Sequence, residues 1–238
     1  VRMTDRPPSP LLEKLVVVRN GGPQQTVVTE LRRVILRGDA PPGTPVPLTE
    51  VAELFGVSHI PVREALKTLI SEGLVTHRPN SGYTVARMTK QELHEMYVVR
   101  AALEGAALTI AAEKATDYER AVTIEANERM AQAIRDSDGA AFQRESRNFH
   151  MALVRPSGMH RLLHILEMSW NMIEPVQAMM HVTPDDRAKL NGDHEEMLEA
   201  FLARDTARLS AIAQRHNDSV DVAIGTLPTD TGLLTQDS

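Results

Sequence analysis

The 238-residue sequence predicts a mainly α chain in two parts: a small helical unit closed by a two-stranded hairpin, then an all-α antiparallel helical bundle. Three observations carry this. Ala, Leu, Val, Met, Glu and Arg dominate and aromatic residues are only 3%, a helix-former composition. Apolar residues recur at helical spacing over most of the length. Short β-like runs around turn residues occur in one place, residues 74–86. A hydrophobic share of 42% is enough to bury a core and excludes general disorder. The absence of Cys excludes disulfides, thiolate metal sites and Cys nucleophiles, and fits a reducing, cytoplasmic setting. No apolar run reaches about 18 residues, so no membrane helix is expected, and the first ten residues lack a signal-type apolar segment. Val1 is an unusual first residue; Met3 is the expected initiator.

The elements follow in order. Residues 1–24, with several Pro and Gly, read as a flexible arm. Val27, Val28, Leu31, Val34 and Ile35 keep the rhythm of an amphipathic helix that Gly38 ends. Ala40 to Pro47 is a Pro-rich turn. A second helix spans about Thr49 to Phe55, burying Val51, Ala52, Leu54 and Phe55, with Gly56 as its stop. Ser58 caps a third helix and Pro61 is tolerated in its first turn. That helix buries Val62, Ala65, Leu66, Leu69 and Ile70. Leu74 to Arg78 and Tyr83 to Ala86 are strands around the turn Pro79-Asn80-Ser81-Gly82. Beyond Thr89 only helices are expected, near 89–115, 117–136, 138–155, 158–181, 184–204 and 206–224. Residues 225–238 read as a disordered tail. The domains are then 25–87 and 88–224.

Charge divides along the same line. Residues 1–87 carry 11 Lys/Arg against 8 Asp/Glu, and residues 88–238 carry 15 against 24. A mildly basic head beside an acidic remainder places any nucleic-acid contact in the head. Two helices joined by Phe55-Gly56-Val57-Ser58, followed by a hairpin, form the pattern of a winged helix-turn-helix. On its third helix His59, Ile60, Arg63 and Lys67 share one face, opposite Val62, Leu66 and Leu69. Two cations and an N-terminal polar group suit a helix in a major groove. Arg63 can reach guanine edges or a phosphate, and Ser58 with its neighbouring N–H groups a phosphate.

The wording of this segment goes further. Gly56-Val57-Ser58-His59-Ile60-Pro61-Val62-Arg63-Glu64-Ala65-Leu66 resembles the GntR-family signature G-V-S-R-T-P-V-R-E-A-L. Leu31 to Gly38, Glu72-Gly73-Leu74-Val75 and Gly82-Tyr83-Thr84-Val85 are similar to the family's first helix, strand and wing. The resemblance implies a transcription regulator that binds double-stranded DNA through Thr49, Ser58, His59, Ile60, Arg63 and Gly82. His59 stands where Arg is usual and Ile60 where Thr is usual, so the operator is expected to differ from the common one.

The later helices carry polar groups on apolar stripes. Arg100 and Glu104 lie within Leu93, Met96, Tyr97, Leu103, Ala107 and Ile110, one turn apart. Ionised groups there must pair or face a wet cavity. Glu104 reads as an i, i+4 partner of Arg100; Arg100 is a candidate anchor for a carboxylate ligand. His150 lies beside Phe142, Phe149 and Leu153, His194 among Leu190, Met197, Leu198 and Phe201, and His216 among Leu209, Ile212, Ala213 and Val220. His194 precedes Asp205 by 11 residues and His216 follows it by 11. In a helical hairpin turning there, both lie about 16 Å from the turn and level. Such imidazoles suit Zn²⁺ or Ni²⁺. His160 and His164 fall off the stripe and read as surface residues.

This half is similar to the FCD effector-binding domain of FadR-like GntR regulators, through Arg100-Ala101-Ala102-Leu103-Glu104, Phe149-His150, and the 22-residue spacing of His194 and His216. The resemblance implies a divalent metal on one Asp and three His, with a small carboxylate effector. The acidic position, four before His150, is Ser146; Glu145 lies about 100° off that face. The expected protein is a homodimeric, effector-responsive regulator with two heads on two half-sites, no membrane partner, and no enzymatic activity. One alternative keeps the regulator with a metal-free pocket. The other is a metal-dependent hydrolase, which needs a general base beside the metal; Glu195 and Glu196 adjoin His194, but no H-E-x-x-H set occurs.

Overall fold

The computed structural model describes residues 9–18 and 21–227. The chain divides into two compact units, changing over between Met88 and Thr89, with the short turn Glu174–Val176 grouped with the first.

The first unit contains α1 (Pro10–Lys14), α2 (Pro23–Leu36), α3 (Leu48–Phe55), α4 (His59–Ser71), β1 (Val75–Arg78) and β2 (Gly82–Val85). The expected hairpin is present in the register Val75↔Val85 to Arg78↔Gly82. The stretch read as a Pro-rich turn also runs along it: Val46 N donates to Tyr83 O at 2.8 Å and Val85 N to Thr44 O at 2.9 Å. Gly56 ends α3 at φ 64°, a left-handed conformation that costs glycine least. The core joins Val27, Leu31, Val34 and Ile35 of α2 to Val51, Phe55, Val62, Leu66 and Leu69. Leu54 and Ile70, expected inside, are exposed instead; each lies one helical step beyond the buried stripe of its helix.

The arm corrects the sequence reading. Residues 9–18 are not loose: Leu11 is 0% exposed and Leu15 joins the same core. Ser9 Oγ donates to Pro45 O at 2.6 Å, Val16 N to Glu30 Oε1 at 2.6 Å, and Arg33 Nη2 to Lys14 O at 2.9 Å. Two leucines one turn apart are enough to anchor a one-turn helix once a core exists to receive them. The rest of the expected arm, residues 1–8 and 19–20, lies outside the described residues. Helix α2 starts at Pro23, inside that span.

The second unit is helical: α5 (Lys90–Lys114), α6 (Asp117–Arg135), α7 (Gly139–Val154), α8 (His160–Ile173), α9 (Ala178–His181), α10 (Pro184–Ala203) and α11 (Thr206–Gly225). Capping residues punctuate it. Thr89 with Glu92 and Thr116 with Glu119 form capping boxes, and Asp138 and Asp205 accept from the first turns of α7 and α11. Helix α5 packs on α7, α8 and α11, and α10 on α11 and α6. The helix expected over 158–181 is broken in two. Pro175 disfavours helical backbone at the residue before it, and Gln177 takes φ 51°. At the other end α11 continues to Gly225 and Leu227 is buried, so the expected tail begins later; residues 228–238 lie outside the described residues. Among the described residues no helix is long and apolar enough to cross a membrane.

Leu11→Ala should destabilise the first unit by about 2–5 kcal/mol, the usual cost of emptying a buried leucine site. The urea midpoint of a probe in that unit reads it; an unmoved midpoint would mean the anchored arm contributes nothing.

Candidate functional site

In the first unit, Ser58, His59, Ile60, Arg63 and Lys67 are exposed on and just before α4, with Thr49 at the start of α3 and Gly82 at the start of β2 also exposed. Ile60 is 73% exposed while Val62, Leu66 and Leu69 close the opposite side. Ser58 holds the N-cap position, yet its side chain makes no capping hydrogen bond, which corrects the capping role read from the sequence. Lys67 Nζ is held by Glu64 at 2.8 Å. Arg63 makes no hydrogen bond or ion pair among the described residues, so of the two cations it is the freer to meet a partner.

In the second unit the three histidines converge from three helices: His150 from α7, His194 from α10 and His216 from α11. Their ring centroids are 5.1, 5.2 and 4.4 Å apart pairwise. One nitrogen from each ring lies within 4.8 Å of the others. His150 Nε2 and His194 Nε2 are 3.2 Å apart. All three rings are almost fully buried, beside Phe149, Phe142 and Trp170. The height match expected from the turn at Asp205 is met because Arg204 closes α10 in the left-handed conformation and α11 starts directly after Asp205.

Charged residues surround the rings. Arg100 is 3% exposed, and its guanidinium stacks 4.5 Å from the Tyr97 ring and 4.6 Å from the Trp170 ring. Glu104 does not behave as a simple i, i+4 partner. Its Oε1 is 3.6 Å from Arg100 Nε, too long for a hydrogen bond, whereas His150 Nδ1 is 3.0 Å from its Oε2. Asp193, not singled out by the sequence, is buried with Oδ2 3.7 Å from His216 Nδ1, and accepts from Arg215 Nε at 2.9 Å. Its place beside His194 on a charged helix gave no sign of this. Ser146 lines the cavity that Arg100, Trp170, Met179 and the three histidines share. That cavity measures about 10 Å³, room for roughly one water. Glu145 is committed elsewhere, to Arg129, Arg144 and Asn148. His160 and His164 are exposed on α8.

With this geometry in place, comparison with known proteins decides the family. The FCD domain matches residues 95–219, and the gntR family of bacterial regulatory proteins matches residues 23–85. The chain belongs to the GntR family and carries an FCD domain. The HTH-type transcriptional repressor GlaR of Escherichia coli is 26% identical, covering 78% of this chain and 88% of its own. The HTH-type transcriptional regulator McbR of the same organism is 28% identical, covering 75% and 82%. A solved GntR transcriptional regulator from Rhodococcus sp. RHA1 superposes with a TM-score of 0.77 at 22% identity over 86% of this chain and 99% of that one, a likeness of fold. This GntR-family protein is a transcription regulator, and its relatives are regulators rather than enzymes.

The donor set of the FCD domain was then tested for a metal. Imidazoles on a tetrahedral Zn²⁺, with Zn–N of about 2.0–2.1 Å, place their nitrogens about 3.3 Å apart. The 3.2 Å between His150 Nε2 and His194 Nε2 fits. Carboxylates behind His150 and His216 are the usual company of metal-binding imidazoles. The residues present therefore fit a divalent ion of borderline softness, short of the acidic ligand that Ser146 lacks.

Electrostatics also keep the rings available. Burial, then the neighbouring histidines and Arg100, hold His194 well below the usual imidazole range. Burial lowers His216 to about 4, despite the opposing pull of Asp193. Burial alone would raise Glu104, but His150 and Arg100 outweigh it and hold the carboxyl at about 2. At neutral pH His194 and His216 are therefore uncharged, with lone pairs to offer, beside a charged Arg100 and an ionised Glu104.

Acidification should test this burial. An unfolded histidine takes its proton near 6.5, and folded His216 only near 4. In that window the unfolded chain binds more protons, so stability falls as pH drops from about 6.5 to about 4 and this loss ends below. The slope is at most ~1.4 kcal/mol per pH unit for each such histidine. Glu104 acts lower, its contribution being lost from about 4.5 down to about 2. Urea denaturation of chelator-stripped protein across the range should show the loss in wild type and a shallower one in His216→Gln. Equal slopes would contradict a buried, neutral His216.

Proposed function

We propose that this transcription regulator is a homodimer whose operator binding responds to a small carboxylate bound in the FCD domain at a divalent metal. The observation that carries the reading is the convergence of His150, His194 and His216 beside buried Arg100. Zn²⁺ or Ni²⁺ would be held by the three imidazoles, and supplies, when bound, an open Lewis-acid position for a carboxylate oxygen. Arg100, pinned between Tyr97 and Trp170, is ready-made for the carboxylate's charge. The cavity admits about one water as it stands, so entry of a carboxylate would displace side chains such as Met179.

On the DNA side, Arg63 is assigned to base edges or phosphate in the major groove. Ser58, His59, Ile60 and Lys67 are its neighbours there, Thr49 and Gly82 flank them, and Ile60 offers apolar contact such as a thymine methyl. Two heads on one two-fold axis would read two half-sites. The exposed face of α5 that carries Val98, Val99 and Ala102 supports pairing through the helical domain. A second reading keeps the regulator but leaves the pocket metal-free. It is favoured by Ser146 and by the direct His150–His194 contact, which is also an acceptable N–H···N hydrogen bond.

Arg63→Ala should lose about 1–3 kcal/mol of specific affinity for a duplex carrying the chain's own promoter region, read by fluorescence anisotropy. Unchanged affinity would remove Arg63 from the groove.

Metal uptake separates the two pocket readings. Zn²⁺ should raise the melting temperature of chelator-stripped protein by mass action. Ser146→Asp should bind Zn²⁺ more tightly, and His194→Ala should lose the ion while still binding DNA. A native mass spectrum reads ion and dimer together. No uptake by wild type and no gain in Ser146→Asp would leave the metal-free reading standing.

A further inference from the structure

Two buried carboxylates stand behind the imidazole cluster, each on the Nδ1 side of a different ring. Glu104 Oε2 meets His150 Nδ1 at 3.0 Å, across from α5 to α7. Asp193 Oδ2 faces His216 Nδ1 at 3.7 Å, across from α10 to α11, too long for a hydrogen bond but close enough for its charge to orient the ring. Both acids are themselves held. Glu104 lies beside Arg100, and Asp193 receives Arg215 Nε at 2.9 Å while Arg215 Nη2 also donates to Glu196 at 2.9 Å. Among the described residues neither His194 Nδ1 nor His216 Nδ1 makes a hydrogen bond, but only His216 has a carboxylate facing that nitrogen.

The asymmetry has a chemical consequence. A neutral imidazole carries one proton, on either nitrogen, and in water it favours Nε2. An ionised carboxylate can only accept, so a ring that turns Nδ1 toward it keeps the proton there. The Nε2 atom is then left bare. For His150 that bare atom is the one 3.2 Å from His194 Nε2, and Nε2 is the atom His216 has left to offer. Ser146 contributes no charge at the position where relatives are expected to carry an acid, so the negative charge that organises the cluster comes from behind the rings instead.

We propose that Glu104 and Asp193 are positioning residues that fix His150 and His216 as Nδ1–H tautomers, so that both rings present unprotonated Nε2 atoms to one point. The inference deepens the metal reading of the same cluster and rests on it only for its effect on ion affinity.

Long-range ¹H–¹⁵N spectra of the histidine rings in chelator-stripped, full-length protein at neutral pH test it, with resonances assigned from single His→Gln variants. Wild type should show His150 and His216 protonated on Nδ1. Glu104→Gln keeps an acceptor oxygen and should retain the His150 form, while Zn²⁺ affinity by calorimetry falls about tenfold, the lower end of what outer partners contribute. Glu104→Met removes the acceptor and should move His150 toward Nε2–H; Asp193→Leu should do the same to His216. A merely structural role would lower stability without changing the tautomer. Wild-type rings protonated on Nε2, or unchanged spectra in folded Glu104→Met and Asp193→Leu, would overturn the inference. If the two removal variants fail to fold, the wild-type spectrum still decides. Nδ1–H rings in a protein that takes up no Zn²⁺ would uphold the positioning role and end the metal reading instead.

Discussion

The helical domain depends on burying three imidazoles, one from each of three helices, against one another. Phe142, Phe149 and Trp170 wall the rings with apolar surface, so burying the imidazoles leans on the polar groups behind them, Glu104 at His150 and Asp193 near His216. The buried guanidinium of Arg100 is accommodated by two aromatic faces and the nearby Glu104. Helix register follows from this. Each of α7, α10 and α11 supplies one ring and α5 supplies Arg100 and Glu104. A slip of one residue would turn a side chain by about 100° and expel it from the cluster. Four helices are thus tied to one point a few ångströms across.

What could be read from the sequence was whatever local spacing determines. The exposed face of α4, the stop at Gly56 and the hairpin around Asn80 follow from periodicity and turn chemistry over a dozen residues. The level placement of His194 and His216 was legible for the same reason: one short turn separates two regular helices, so counting residues measures height. His150 entered through its stripe and through the resemblance of Phe149-His150 to the FCD domain.

Partners across the bundle were not legible. Glu104 stood one turn from Arg100, and spacing paired them; the hydrogen bond that the fold makes is to a ring 46 residues away. Asp193 adjoins His194 in a run of charged residues and drew no reading from the sequence, yet it is buried between His216 and Arg215, the latter 22 residues on. The arm was misread because Pro and Gly make up a quarter of residues 1–24, while the two leucines that bury are too few to give a period. Helix 158–181 was misread because apolar spacing carries on past Pro175, where the backbone cannot.

The small size of the cavity and the loss of the acid at Ser146 bear on each other. A domain that holds an ion through an Asp would spend that charge on the ion. With Ser146 in that position, an ion held by the three imidazoles would have its charge offset by Glu104, Asp193 and the proposed carboxylate. The cavity, with room for about one water, cannot receive it without rearrangement. One wall of it is α9, four residues long, entered through the left-handed Gln177, with Met179 N donating to Gln143 Oε1 at 3.0 Å. Met179 lines the cavity from that segment. A ligand shifts a conformational equilibrium only by its difference in affinity for the two states. On the proposed reading, a carboxylate that fits the site only after the cavity rearranges would supply that difference.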